Sequence, residues 1–123
     1  MIRIARPTND IEAILRFYRD GLGLEVLDSF TDHAGFDGVM LGHAGEPFHF
    51  EFTRERGAQA PRAPSEDHLI VFYSSDPAEW AARVQRMTSA GFQPVPAHNP
   101  WWNARGKTFA DSDGYRVVLA LGA

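Results

Sequence analysis

The sequence of 123 residues contains no cysteine, which excludes disulfide bonds, a thiolate nucleophile and a zinc finger. No apolar run reaches the roughly 20 residues that cross a bilayer, so no membrane partner is expected. Basic residues are also scarce: 12 Lys and Arg face 16 Asp and Glu, and the net charge of −4 argues against a nucleic-acid partner. Residues 1–6 lack the apolar segment of a signal peptide, and we therefore expect a cytoplasmic protein.

The first half of the chain has the pattern of one strand, one helix and three further strands. After a β-type stretch at 2–6, apolar residues recur at helical spacing, namely Ile11, Ile14, Leu15, Tyr18 and Leu22. Asn9 is expected to cap this helix, with Glu12 completing a capping box. Glycine-rich turns then separate three predicted strands at 24–30, 36–42 and 47–53.

The second half repeats this order. A predicted strand at 67–73 precedes a helix that follows Asp76, and the last three strands are predicted at 92–96, 106–110 and 114–121. The repeat indicates an internal duplication. We therefore predict one domain over 1–123, with a first module at 1–54, a linker at 55–66 and a second module at 67–123.

Two segments resemble a known superfamily. Phe17-Tyr18 followed by Leu22-Gly23, and the turn Asp111-Ser112-Asp113-Gly114 before a last apolar strand, resemble the vicinal oxygen chelate proteins. These include glyoxalase I, extradiol dioxygenases, and fosfomycin and bleomycin resistance proteins. The resemblance covers residues 2–121, and the stretch 98–109 looks like that of an uncharacterised bacterial branch. It implies an α+β fold in which tandem βαβββ modules form a curved eight-stranded mixed sheet around a cup, with the helices outside. It also implies a homodimer.

In the metal-dependent members, one residue from the first and last strand of each module binds a divalent cation. The resemblance carries these positions over to Arg3, Glu51, His68 and Val118. Glu51 and His68 are candidate ligands for Zn, Mn, Ni or Fe, but a guanidinium and an isopropyl group have no lone pair to offer. In the alternative, Arg3 supplies the positive charge and Glu51 neutralises it. We therefore expect no metal and no other cofactor, and a purely structural role for these residues stays open.

Aromatic residues indicate a ligand site. Trp101 and Trp102 lie in a polar stretch, where they could form the wall of a small-molecule pocket or seal a small core beneath Phe109 and Tyr115. Strand alternation places His49 on the same face as Glu51. The candidate substrate-binding residues are Arg3, His49, Glu51, His68, Trp101, Trp102 and Arg105.

Two functions are compatible with these patterns. The first is a metal-independent binding protein that sequesters a small aromatic or cationic molecule and has no catalytic residue. The second is a metal-dependent lyase or dioxygenase of the glyoxalase type, in which Glu51 or His68 would handle a proton. The first is favoured because two of the four ligand positions hold no donor. Whether the protein is an enzyme is left open by the sequence.

Overall fold

A computed structural model describes residues 1–122 and divides the chain into two compact units, the first spanning Met1–Pro61 and the second beginning at Arg62. The division falls inside the expected linker. The strands and helices of the first unit are β1 (Ile2–Pro7), α1 (Ile11–Ile14), a π-helix (Leu15–Gly21), β2 (Glu25–His33), β3 (Phe36–Gly42) and β4 (Phe48–Glu55). Those of the second unit are β5 (Leu69–Ser74), α2 (Pro77–Ser89), a 3₁₀ helix (Pro100–Asn103), β6 (Gly106–Ala110) and β7 (Arg116–Leu121).

The first unit contains a four-stranded sheet in the order β1-β4-β3-β2. β1 runs parallel to β4, and the remaining neighbours are antiparallel. The helix-facing side of β4 carries the buried rings of Phe50 and Phe52, and the Phe52 ring packs 4.6 Å from that of Tyr18. Because side chains alternate along a strand, His49 and Glu51 lie on the opposite side of this sheet.

The first helix is capped by a different residue from the one predicted. The side chain of Asp10 accepts a hydrogen bond from the backbone N–H of Ala13 at 3.0 Å. The amide of Asn9 instead donates to the carbonyl of Ala60 at 3.0 Å and accepts from its N–H at 2.7 Å. The prediction that Asn9 caps this helix is therefore wrong. Its side chain is hydrogen-bonded to the backbone of Ala60, which lies 51 residues away in the linker.

The second unit contains a three-stranded sheet in the order β5-β7-β6, with β5 parallel to β7. Asp76 caps α2 as predicted, accepting from the N–H of Ala78 at 3.0 Å. The helix packs on the sheet through Met87, which is fully buried, and through Trp80, whose indole N–H donates to the carbonyl of Leu119 at 2.9 Å.

The predicted strand at 92–96 does not form. Only Val95 pairs, in a single bridge where its N–H donates to the carbonyl of Thr108 at 2.8 Å. Pro94 and Pro96 flank it and lack the N–H groups that a ladder needs. The α+β class is confirmed, but the described residues form sheets of four and three strands, and one eight-stranded sheet is not confirmed. Across residues 1–122 no helix has the length and apolar character to span a membrane.

Candidate functional site

Three predicted site residues meet on the sheet of the first unit. The parallel register of β1 and β4 places Arg3 opposite His49 and Ala5 opposite Glu51. The Nε–H of Arg3 donates to Nε2 of His49 at 2.9 Å, and Nη1 of Arg3 lies 3.7 Å from Oε2 of Glu51. The Arg3 side chain is 47% exposed and that of Glu51 is 16% exposed, so the pair is partly hydrated.

These contacts engage the donor atoms that a metal would need. An arginine N–H only donates, so the Nε2 lone pair of His49 is used by the guanidinium. The carboxylate of Glu51 faces the same cation. In the second unit, the last-strand position is Val118, which is fully buried and has no donor atom. The residues at the superfamily's ligand positions therefore do not suit a divalent cation. Within the described chain no group of three His, Asp or Glu is arranged to hold one.

His68 lies just before β5 rather than in it. Its ring is exposed and meets the ring of Tyr115 edge-on, with centroids 5.5 Å apart. Arg3 precedes the helix cap Asp10 by seven residues, and Leu69 precedes the cap Asp76 by the same number, so Leu69 is the counterpart of Arg3. A ligand contact through His68 stays a prediction, and the residue that would make it lies just outside the strand.

The other three predicted residues line one cavity within the second unit. Trp101, Trp102 and Arg105 surround a space of about 240 Å³ together with Tyr73, Leu121 and Gly122. The cavity forms where the 3₁₀ helix meets the carboxyl ends of β5 and β7. Its volume lies just below the roughly 300–1,000 Å³ of sites for drug-sized ligands, which suits a smaller molecule.

Two asparagines hold the tryptophan-bearing turn in shape. Oδ1 of Asn99 accepts from the N–H of Trp101 at 3.1 Å, and Oδ1 of Asn103 accepts from the N–H of Ala97 at 3.1 Å. Both amide oxygens therefore serve the turn. In the turn that these hydrogen bonds hold, Trp101 is 75% exposed and Trp102 is half-buried. A core-sealing role for both indoles is inconsistent with the exposure of Trp101.

Gly106 lies behind the tryptophan-bearing turn, outside the cavity lining, and sequence reasoning missed its role in packing. A Cβ at this position would lie 2.7 Å from the backbone oxygen of Trp102 and 3.2 Å from that of Leu119. Only glycine lets these two backbone segments approach so closely. An isolated glycine at the start of an apolar strand was the signal available in the sequence.

Structure comparison places the fold in the vicinal oxygen chelate class. Glyoxalase I of Leishmania major superposes with a TM-score of 0.75 at 19% identity, covering 98% of this chain and 85% of that chain. TnmS3, an antibiotic binding protein from Streptomyces sp. CB03234, superposes with a TM-score of 0.67 at 18% identity, covering 98% and 93%. At these identities the likeness shows the fold alone.

The chain belongs to the YycE-like family. The YycE-like N-terminal domain matches residues 2–53 and the YycE-like C-terminal domain matches residues 67–120. The uncharacterized protein YycE of Bacillus subtilis (strain 168) is 42% identical over 118 residues, which are 96% of this chain and 85% of that protein. A crystal structure of Bacillus subtilis YycE superposes with a TM-score of 0.92 at 41% identity, covering 100% of this chain and 90% of that one. The predicted resemblance to an uncharacterised bacterial branch is confirmed.

Proposed function

We propose that this protein is a metal-independent binding protein that sequesters a small aromatic molecule. The observation that carries the proposal is the cavity of the second unit, whose walls include Tyr73, Trp101 and Trp102. Aromatic walls with a few polar groups are the usual composition of small-molecule sites. The fold is shared with TnmS3, which is described as an antibiotic binding protein. Between the aromatic and cationic ligands that the sequence left open, these walls favour the aromatic one.

The contacts of Arg3 support the absence of a metal from the function. The guanidinium supplies a permanent positive charge beside Glu51 and takes the lone pair of His49. A metal-dependent lyase or dioxygenase would need Glu51 to bind a cation in place of Arg3. No contact of the described residues favours that alternative.

Metal analysis and ligand binding test the proposal together. We expect protein purified without chelators to contain no stoichiometric first-row metal, and to bind an aromatic probe equally well with and without EDTA. A tightly bound metal that is lost in Glu51→Ala or His68→Ala would overturn it. His98→Ala is the matched control, because His98 is an exposed histidine outside the Arg3 cluster and does not line the cavity.

We also propose that the protein is a homodimer. β1 lies at one edge of its sheet, and its apolar side chains Ile2 and Ile4 are 63% and 37% exposed. An edge strand with exposed apolar side chains readily pairs with another chain. Sedimentation at tens of micromolar should show a dimer that Ile4→Lys weakens, whereas Val26→Lys on the opposite edge strand should leave it intact. A wild-type monomer at that concentration would contradict the proposal.

A further inference from the structure

We infer that the cavity beside the two tryptophans selects an aromatic anion, such as a carboxylate on one or two fused rings. The inference rests on the proposed function and adds the charge of the ligand. It depends on three features of the second unit. These are the guanidinium of Arg105, which no described residue engages, the hydrogen-bond donors of the walls, and the lack of a carboxylate among the described lining residues.

The guanidinium of Arg105 has no partner within residues 1–122. No described residue forms an ion pair or accepts a hydrogen bond from it, although the Arg105 backbone oxygen is held by the N–H of Leu121 at 2.8 Å. Other arginines of this unit are engaged, for example Arg62 with the carbonyl of Ser112 and Arg116 with Glu66. Arg105 thus combines a backbone fixed at the cavity with a cationic group left for a ligand. A guanidinium binds planar carboxylates through two parallel hydrogen bonds.

The polar side chains of the walls are mostly donors. The indoles of Trp101 and Trp102 each carry an N–H that no described residue accepts, unlike Trp80, whose N–H is bonded to the backbone. An indole N–H donates only, and the hydroxyl of Tyr73 both donates and accepts. A ligand that bonds directly to these donors needs acceptor oxygens, and a carboxylate provides two.

The electrostatics of the cavity oppose a cationic ligand. The faces of tryptophan and tyrosine attract cations, so the walls alone would also suit an ammonium compound. Among the described residues that line the cavity, Arg105 is however the single charged one, while the chain as a whole carries a net charge of −4. A cationic ligand would lie beside the guanidinium of Arg105, which no described residue neutralises, and the two like charges would repel each other. Because Arg105 is exposed, water reduces this repulsion without removing it. The aromatic faces therefore serve to stack on the ring, and Arg105 sets the sign of its substituent.

Three probes of one shape and different charge test this selection. They are 2-naphthoate, 2-naphthamide and 2-naphthylmethylammonium, titrated into the full chain by calorimetry at neutral pH with and without EDTA. We expect the carboxylate to bind at least tenfold more tightly than the amide, and the ammonium compound to bind most weakly. Arg105→Met should abolish the advantage of the carboxylate while the amide binds as before, and Arg105→Lys should retain part of it. Arg86→Met, which removes an exposed arginine of α2 that does not line the cavity, is the control for net charge.

The outcomes separate the inference from the proposed function. Equal or tighter binding of the amide or the ammonium compound would overturn the anion selection and leave metal-independent binding standing. Carboxylate binding that EDTA abolishes would overturn metal independence and leave the charge preference standing. Failure of all three probes to bind would overturn the inference, and a second copy seated on Trp101 would then appear as a dimer weakened by Trp101→Ala.

Discussion

The coupling between Arg3 and Glu51 is the most direct measure of how far their ion pair is hydrated. The sequence alone permitted a buried pair, for which removal of one partner costs about 3–5 kcal/mol. In the structure Nη1 of Arg3 lies 3.7 Å from Oε2 of Glu51, but 47% of the arginine side chain is exposed. The perturbation is the pair of substitutions Arg3→Met and Glu51→Leu, made singly and together.

The geometry bounds the expected magnitude. Two unit charges at this separation attract by about 1 kcal/mol in water and by about 4 kcal/mol at an effective dielectric constant near 20. Measured exposed pairs cluster at about 0.2–1 kcal/mol because water screens them and the side chains lose freedom. Since nearly half of the Arg3 side chain is in water, the lower limit applies. We expect a coupling free energy of about 1 kcal/mol or less.

Urea unfolding of the four proteins in this cycle measures the coupling. Because Arg3→Met also removes the hydrogen bond to His49, a second cycle of Arg3→Met with His49→Phe isolates that contribution. A coupling above about 3 kcal/mol between Arg3 and Glu51 would refute the reasoning. At protein concentrations below those at which the proposed dimer forms through β1, it would mean that the guanidinium is removed from water within a single chain.

Two further predictions concern backbone packing and pH. Gly106→Ala should lower the urea midpoint of unfolding and the near-ultraviolet circular dichroism signal. The reason is that the new Cβ would lie 2.7 Å from the backbone oxygen of Trp102, which cannot rotate away as a side chain could. An unchanged midpoint and spectrum would contradict this close approach. The hydrogen bond from Arg56 at 2.9 Å lowers the pKa of Asp37 in the folded protein. The ionised Asp37 therefore contributes its full stabilisation above the ordinary aspartate pKa of about 3.9, and this stabilisation is lost as the pH falls through the lower pKa of the folded state. Carboxyl NMR titration should show Arg56→Gln raising the pKa of Asp37 towards the ordinary value, and Arg54→Gln, which acts only through weaker charge attraction, changing it less.

Features specified by neighbouring residues were predictable from the sequence. The predicted strands 36–42 and 106–110 match β3 and β6, because turn residues bound both of them. Asp76 caps α2 because the cap and the helix start lie within three residues. The prediction of a strand at 92–96 was wrong although the sequence contains Pro94 and Pro96. It gave more weight to the apolar residues of the stretch than to the N–H groups that the prolines lack. Asn9 failed for another reason: its partner Ala60 is distant in sequence, and no local pattern reveals it.

In the candidate site, too, features set by nearby residues were predictable and features set by distant residues were not. The grouping of Trp101, Trp102 and Arg105 was predictable because five consecutive positions carry all three residues. The lack of a partner for the Arg105 guanidinium among the described residues was not predictable, because it depends on which carboxylates the fold brings near. His68 shows how sensitive strand alternation is to register, since a shift of one residue moves a side chain to the other face of the sheet.

The predicted duplication offers Leu69 as an alternative to His68 for the counterpart of Arg3, and it allows the registers of the two sheets to be compared. The register of β1 on β4 pairs Ala5 with Glu51, and that of β5 on β7 pairs Val71 with Val118. Where the first module has Glu51, the second has the buried Val118, and the charged Arg116 of its β7 is paired with Glu66. A buried valine cannot form an ion pair with a ligand. We therefore expect polar contacts to a ligand in the second module to come from residues outside the middle of β7. Arg105, in the turn that precedes β6, is placed to supply it.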